Sequence, residues 1–197
     1  MTSNASYQKQ PKAWGSRPTP IVVQAVKLLS GGKERHFSAL DIGAGQGRDS
    51  LYLAKQGFQV TALDKLAAGL SQIKASDERI ETVAADMAQY EFEQKFDLII
   101  AINVLHFLKK SEIESSIGKI KQATARGGLV VVSVLLDNHK LETQELKGYF
   151  EDFEIVLYRE FVKDDAAHIG AQYPHTHQIA QLIARKRGTV DKTSPTC

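Results

Sequence analysis

Residues 38–49 read Ser-Ala-Leu-Asp-Ile-Gly-Ala-Gly-Gln-Gly-Arg-Asp, and their glycines are placed to bind a ligand through backbone groups. Gly43, Gly45 and Gly47 stand at alternate positions after an apolar run that ends in Asp41. Glycine permits positive φ and has no Cβ to keep a ligand from the backbone. Between a strand and a helix, such a loop faces the adenosine-bearing ligands of doubly wound sheets. A dinucleotide fingerprint would need its third glycine one position later, and the Gly-Lys-Ser/Thr of a Walker loop is absent.

Acidic and amide side chains follow the next strands at the same relative place. Asp64 ends the second predicted strand, Asp86 follows the third and Asn103 ends the fourth. Ligands of doubly wound sheets bind beyond the carboxyl ends of the strands, so we expect these groups to converge. Asp64 is placed to accept both ribose hydroxyls, and Asp86 is placed to accept an adenine amino group with Met87 against the ring. The predicted cofactor-binding set is Asp41, Gly43, Ala44, Gly45, Gly47, Arg48, Asp64, Lys65, Leu66, Asp86, Met87, Asn103 and Val104.

Each member of this set also has a purely structural interpretation. Asp64 could cap a helix, since acids are common where a strand leads into a helix. Met87 could fill the core, and Asn103 could serve as a turn residue. The conjunction of three strand-end acids with a triple-glycine loop favours the ligand site.

Apolar runs alternate with helical patterns along most of the chain. Alternation of this kind predicts a parallel sheet with helices on both faces, in the α/β class. Predicted strands cover Phe37–Ile42, Phe58–Asp64, Ile80–Ala85, Phe96–Asn103, Leu129–Leu136, residues 153–161 and Ile179–Ala184. The first predicted helix begins at Thr19-Pro20 and ends at Gly31-Gly32. Three more cover residues 48–56, 67–75 and 143–150. A further helix begins at a Ser111/Glu114 capping box and ends at Gly127-Gly128. Residues 162–178 are predicted to be a loop, which makes the last two strands an antiparallel edge hairpin.

The composition fits one globular domain of 197 residues, with 25 basic and 23 acidic side chains and a net charge of +2. This balance does not favour nucleic acid or an anionic membrane as partner. Cys197 is the single cysteine, so no intramolecular disulfide forms and no cysteine nucleophile is expected. Because neither a signal peptide nor a membrane-length apolar run is apparent, we expect a cytoplasmic protein. The predicted organisation is a flexible arm over 1–18, one domain over 19–187 and a frayed tail over 188–197.

The glycine spacing resembles the first motif of class I S-adenosylmethionine (SAM) methyltransferases, and the likeness extends to their tellurite-resistance branch. The segments that carry it are residues 40–54, 57–64, 96–108, 145–150 and 182–186. The resemblance implies a seven-stranded, mostly parallel sheet of order 3-2-1-4-5-7-6 with its last strand antiparallel, and SAM as cofactor. Two departures concern substrate recognition. The stretch Leu136–Glu142 is short where the branch has a long insert, and Gln178 replaces an arginine.

Methyl transfer from a sulfonium needs alignment and a dry pocket, and oxygen or nitrogen acceptors usually need a general base as well. Candidate catalytic residues are His177, His106 and Tyr149. His106 could equally pack on a helix, and His175 could be a solvated loop residue beside His177. No metal site is expected, since His-x-His lacks further ligands at a known spacing.

We therefore predict a SAM-dependent methyltransferase that acts on a small-molecule nucleophile, for example a thiol or a chalcogen oxyanion. The expected state is a monomer or homodimer, without nucleic-acid or membrane partners. A nucleic-acid or protein methyltransferase, or a non-catalytic SAM-binding module, is the alternative. The segment from Trp14 to Arg17 is either a lid over the site or part of a disordered arm.

Overall fold

A computed structural model of the chain describes residues 15–29, 36–137, 140–165 and 175–188. Most of the predicted arm and tail, Trp14 of the predicted lid and the glycine pair 31–32 lie outside these ranges. The helices are α1 (Pro20–Leu29), α2 (Arg48–Lys55), α3 (Ala67–Ser76), α4 (Lys110–Ala123) and α5 (Glu145–Gly148), with a 3-10 turn at Leu105–Phe107. The strands are β1 (Ser38–Ile42), β2 (Gln59–Asp64), β3 (Glu81–Ala84), β4 (Phe96–Ile102), β5 (Thr124–Leu135), β6 (Glu154–Asp165) and β7 (His175–Arg185).

The seven strands form one sheet of order β3-β2-β1-β4-β5-β7-β6, which confirms the predicted topology. The β1 strand pairs in parallel with β2 and β4, β2 with β3, and β4 with β5. The β7 strand lies antiparallel between β5 and β6. The strand order reverses between β1 and β4, and this reversal opens a crevice at their carboxyl ends.

Successive residues along the strands feed two separate cores, one on each face of the sheet. Ala39 packs with residues of α1, α2 and α3, whereas its neighbour Leu40 packs with α4 and with Phe150. Leu98 and Ile99 divide in the same way. We call the two sides the α1–α3 face and the α4–α5 face. Within the described residues, no helix is both long and apolar enough to cross a membrane.

The fourth helix starts and ends earlier than predicted. The Lys109 backbone N–H donates to the Glu112 carboxylate at 2.9 Å, so α4 begins at Lys110 and the predicted Ser111/Glu114 capping box is wrong. Gly127 and Gly128 are part of β5 rather than a helix stop. Gly128 is required by close packing, because a Cβ there would lie 2.9 Å from the carbonyl oxygens of Ala125 and Asp97.

The edge hairpin is longer than predicted. The β6–β7 ladder runs from Glu154 opposite Arg185 to Asp165 opposite His175, so residues 162–165 and 175–178 of the predicted loop are strand. Polar side chains are tolerated there because edge strands keep solvent contact. The extension places His175 and His177 at regular positions on β7, two residues apart and on one face. The predicted helix 143–150 shortens to α5.

Candidate cofactor and acceptor site

The glycine loop joins β1 to α2 and curls over the end of β2. Gly43 and Ala44 donate their backbone N–H groups to the Leu63 carbonyl at 2.8 and 3.1 Å. The φ angles of Gly43, Gly45 and Gly47 are 73°, 56° and 82°, all in the left-handed region. A side chain at any of the three would be strained, so the alternate spacing seen in the sequence is a requirement of this backbone.

The Asp64 carboxylate ties the glycine loop to the start of α3. One oxygen accepts the Gly45 N–H at 2.8 Å and the other accepts the Leu66 N–H at 2.8 Å. The side chain is half-buried, and each oxygen has a second lone pair beyond the one that accepts an N–H. Such a carboxylate can accept a pair of vicinal hydroxyls while it holds the loop in shape.

Close approaches on two sides of the loop exclude larger side chains. A Cβ at Gly43 would lie 2.6 Å from Val104 Cγ2, and one at Gly47 would lie 2.4 Å from Ile73 Cγ1. Gly69 on α3 is tighter still, since its Cβ would lie 2.1 Å from the Gly45 carbonyl oxygen. Sequence reasoning missed Gly69, although a glycine inside a predicted helix is a signal of close packing.

Asp41 lies beneath the loop instead of facing the crevice. Its side chain is only 3% exposed and accepts the Ser50 hydroxyl at 2.5 Å. Burial, with the nearby charge of Asp49, raises the pKa of Asp41 to about 7. This placement argues against direct ligand contact and gives Asp41 a supporting position under the start of α2.

Arg48 and Asp49 fasten the segment that enters α1 to the start of α2. Thr19 donates its backbone N–H and its hydroxyl to the two Asp49 oxygens at 2.6 and 2.7 Å. Arg48 Nη2 donates to Thr19 Oγ1 at 2.6 Å and to Asp49 at 3.2 Å. The Thr19–Asp49 pair was not predicted, because residues thirty positions apart carry no local signal.

The predicted site residues that follow β2 and β3 differ in their exposure to solvent. Lys65 and Asp86 are exposed, and Asp86 accepts the Ala88 N–H at 2.9 Å, an Asx turn that presents its other oxygen. Met87 is buried in the core of the α4–α5 face with 5% exposure, which argues against its predicted place on an adenine ring.

Asn103 and His106 lie beyond the end of β4, across the crevice from the glycine loop. Asn103 is exposed, adopts φ 53° and donates its backbone N–H to the Ser133 carbonyl at 2.7 Å. His106 is buried, and its carbonyl accepts Lys140 Nζ at 2.9 Å. Burial, aided by the charges of Lys140 and His177, lowers the pKa of His106 to about 4, so its imidazole is neutral at pH 7.

His177 is held by a carboxylate that sequence reasoning did not single out. Its Nδ1 lies 2.6 Å from an Asp137 oxygen, and the other oxygen accepts the Gln178 N–H at 2.6 Å. Burial would raise the pKa of Asp137, but these two hydrogen bonds lower it below its usual value. His177 Nε2 lies 2.8 Å from His175 Nε2, so one ring can pass a proton to the other. Asp137 fixes the ring orientation of His177, as carboxylates do for acid–base histidines.

Tyr149 directly follows α5 and is hydrogen-bonded to a side chain of that helix. Its hydroxyl donates to Glu145 at 2.7 Å, and Glu145 forms an ion pair with Lys110. Burial, together with the Glu145 hydrogen bond, raises the pKa of Tyr149 to about 12. Tyr149 packs against the core of the α4–α5 face, and its catalytic role stays a prediction.

The sheet order and the flanking helices are those of the Rossmann-like fold of class I methyltransferases. The N-methyltransferase NodS from Bradyrhizobium japonicum WM9, solved with S-adenosyl-L-homocysteine, superposes with a TM-score of 0.70 at 18% identity and covers 93% of this chain and 96% of its own. At this identity the likeness concerns the fold alone.

The family model described as "Tellurite resistance protein TehB" matches residues 16–168, and the chain belongs to this family. The probable SAM-dependent methyltransferase TehB of Haemophilus influenzae is 31% identical over 153 residues, which are 71% of this chain and 52% of that protein. The crystal structure of TehB from Haemophilus influenzae has a TM-score of 0.77 at 26% identity, with 86% of this chain and 62% of that one covered. The chain thus spans about half the length of the curated relatives it matches. These findings confirm the predicted family and fold.

The raised pKa of Asp41 predicts a pH-dependent loss of stability. The folded protein keeps a proton up to pH about 7 that the unfolded chain releases near 3.8, so stability falls as pH rises through this window. Asp41→Asn removes the ionisation, and we expect the variant to gain on the order of 2–4 kcal/mol relative to wild type between pH 4 and 7.5. Urea unfolding at both pH values measures this gain, with exposed Asp86→Asn as control. A stability difference that does not change with pH would contradict the assignment.

Gly69→Ala tests the close contact between α3 and the glycine loop. The added methyl must displace the Gly45 carbonyl, so we expect a lower melting temperature and at least tenfold weaker S-adenosylhomocysteine binding by calorimetry. Gly118→Ala on α4 is the matched control, because nothing lies within 4 Å of its Cβ. The control should gain about 0.5–1 kcal/mol from helix propensity. Equal behaviour of the two variants would rule out the packing constraint.

Proposed function

We propose that this chain transfers the methyl group of SAM to a small-molecule nucleophile by in-line displacement. The observation that carries the proposal is the pairing of the Asp64-fastened glycine loop with Asn103, His106 and His177, which gather at the ends of β4 and β7. One side offers hydrogen-bonding groups suited to an adenosyl ligand, and the other offers polar groups suited to an acceptor. Membership of the TehB family supports this reaction.

The residues of the crevice fit the cofactor. Gly43, Gly45 and Gly47 let the loop follow its left-handed course, and each Asp64 oxygen has a second lone pair that can accept a ribose hydroxyl. We assign Asp86, Lys65 and Leu66 to the adenine side of the crevice. Lys65 and Leu66 directly follow Asp64 in the sequence. Ala44 is assigned to the loop, and Asn103 and Val104 are assigned to the amino-acid end of the cofactor. The remaining residues, Arg48, Asp41 and Met87, are assigned as supports of the site.

The bound cofactor supplies an activated methyl group, and the protein supplies alignment and proton handling. An acceptor held beside His106 and His177 would approach from the side of the crevice formed by the ends of β4 and β7. His106 is neutral at pH 7, so it adds no positive charge to the side of the crevice assigned to the acceptor. A thiolate or a chalcogen oxyanion needs no base, whereas an acceptor that carries a proton can lose it to the hydrogen-bonded pair His175 and His177.

The family description favours a tellurium oxyanion as acceptor, and a thiol is the second choice. Both are soft nucleophiles suited to an SN2-type displacement at a methyl group. A screen with methyl-labelled cofactor across thiols, chalcogen oxyanions, phenols and amines tests the proposal. Label transfer to one of them is the expected result. Tight cofactor binding with no transfer to any would instead point to a binding module.

Asp64→Asn tests the assignment of the ribose contact. The amide keeps the size of the side chain but offers one acceptor oxygen in place of two and no charge. We expect about tenfold or weaker S-adenosylhomocysteine binding by calorimetry, since hydrogen bonds to a charged group contribute about 1.5–3 kcal/mol. Asp152→Asn, at an exposed ion pair with Lys121, is the control. Unchanged affinity would remove Asp64 from the ribose role.

His177→Ala and Asp137→Asn test proton transfer. For an acceptor that carries a proton, His177→Ala should lower kcat by about 10²-fold or more. Asp137→Asn should lower kcat less, because it weakens the hydrogen bond that holds the His177 ring in place. His36→Ala, two residues before β1, is the control. For a soft anion neither variant should change kcat, so a large loss with an oxyanion acceptor would contradict this assignment.

A further inference from the structure

A row of polar side chains crosses the sheet from the crevice to its far edge. Ser133 on β5 stands opposite Gln181 on β7, and Gln181 stands opposite Arg159 on β6. On its other side Ser133 is paired with Ile102, the residue before Asn103. Ser133 and Gln181 are 3% and 8% exposed, so the middle of the row is out of contact with water.

Hydrogen bonds connect these side chains without a gap. Arg159 donates to Gln181 Oε1 from Nε at 3.0 Å and from Nη2 at 2.7 Å. Gln181 Nε2 donates to Ser133 Oγ at 3.3 Å, and the Ser133 hydroxyl donates to Asn103 Oδ1 at 3.2 Å. We call these four residues the cross-sheet chain.

The guanidinium fixes the direction of the chain. Arginine has only donors, so Gln181 must turn its oxygen toward Arg159 and its N–H₂ toward Ser133. Ser133 Oγ then accepts a hydrogen bond from Gln181 and donates its own hydroxyl hydrogen to Asn103. The Asn103 amide can meet this donor only with its oxygen. Hydrogen bonds aligned in one sense also strengthen one another, which favours this single orientation.

The outcome is that Asn103 presents Nδ2, with two N–H donors, away from the chain. Asn103 is exposed, and within the described residues no hydrogen bond from its Nδ2 is formed. Its left-handed φ of 53° is strained for most side chains and tolerated by asparagine. Donors held in advance toward an open crevice suit an anionic oxygen.

We propose that the cross-sheet chain orients Asn103 to donate to the carboxylate of the cofactor's amino-acid moiety. The inference rests on the proposed function. Asp64 and Asp86 assign the adenosyl part to the β2 and β3 side of the crevice. The other end of an extended ligand therefore lies toward β4, where Val104, the neighbour of Asn103, packs against Gly43. Ser133, Gln181 and Arg159 act as positioning residues.

Two ligands that differ in the carboxylate test the proposal. S-adenosylhomocysteine carries the amino-acid group, and 5′-methylthioadenosine keeps the adenosyl thioether without it. Calorimetry compares both ligands on the full chain and on the variants Asn103→Asp and Ser133→Ala. Asn103→Asp still accepts the Ser133 hydroxyl and tolerates the left-handed backbone, but it loses both outward donors. Ser116→Ala is the matched control for Ser133→Ala, because Ser116 is equally buried and its hydroxyl forms no hydrogen bond within the described residues.

We expect Asn103→Asp to weaken S-adenosylhomocysteine by about tenfold or more and 5′-methylthioadenosine by less than about twofold. Ser133→Ala should give a smaller loss that is again confined to S-adenosylhomocysteine, and Ser116→Ala should change neither. Equal weakening of both ligands by Asn103→Asp, or unchanged S-adenosylhomocysteine binding, would overturn the inference while the proposed function stands. Failure of the wild-type chain to bind either ligand would overturn the proposed function as well.

Discussion

The site depends on one carboxylate that holds two loops together. Asp64 accepts backbone N–H groups from Gly45 and from Leu66, so the end of β2 sets the shape of the loop after β1 and the start of α3. Without this link, the left-handed glycines would be free to take other conformations and the crevice would have no fixed wall. The same oxygens are the acceptors assigned to the ligand, which makes the structural and the binding role of Asp64 inseparable.

Close packing supplies the second constraint. The glycine loop is confined between Val104 and the helix that carries Gly69 and Ile73, with no space for a methyl group at Gly43, Gly47 or Gly69. Both the crevice and the two cores follow from the reversal of strand order between β1 and β4. Groups as far apart in the chain as Gly45 and His177 therefore serve one edge of the sheet.

Local sequence patterns predicted the strands and the residues at their ends. The strand order followed from the family resemblance, while apolar periodicity located every strand and the strand-end positions of Asp64, Asp86 and Asn103.

Long-range register was not accessible, and it decides the pairing of His175 with Asp165 and of Ser133 with Gln181. Asp137 was overlooked because its partner His177 lies 40 residues away. The burial of Met87 and Asp41 could not be predicted, because sequence position does not reveal which way a strand-end side chain points. The capping box at Lys109 was missed because lysine is not a typical cap residue.

The most direct measurement is a crystal structure of the chain with S-adenosylhomocysteine. The account predicts both ribose hydroxyls within hydrogen-bonding distance of the Asp64 oxygens, the adenosyl group beside the glycine loop and the amino-acid end toward Asn103. A ligand bound elsewhere on the protein, or a crevice filled by side chains in the presence of saturating ligand, would contradict the account.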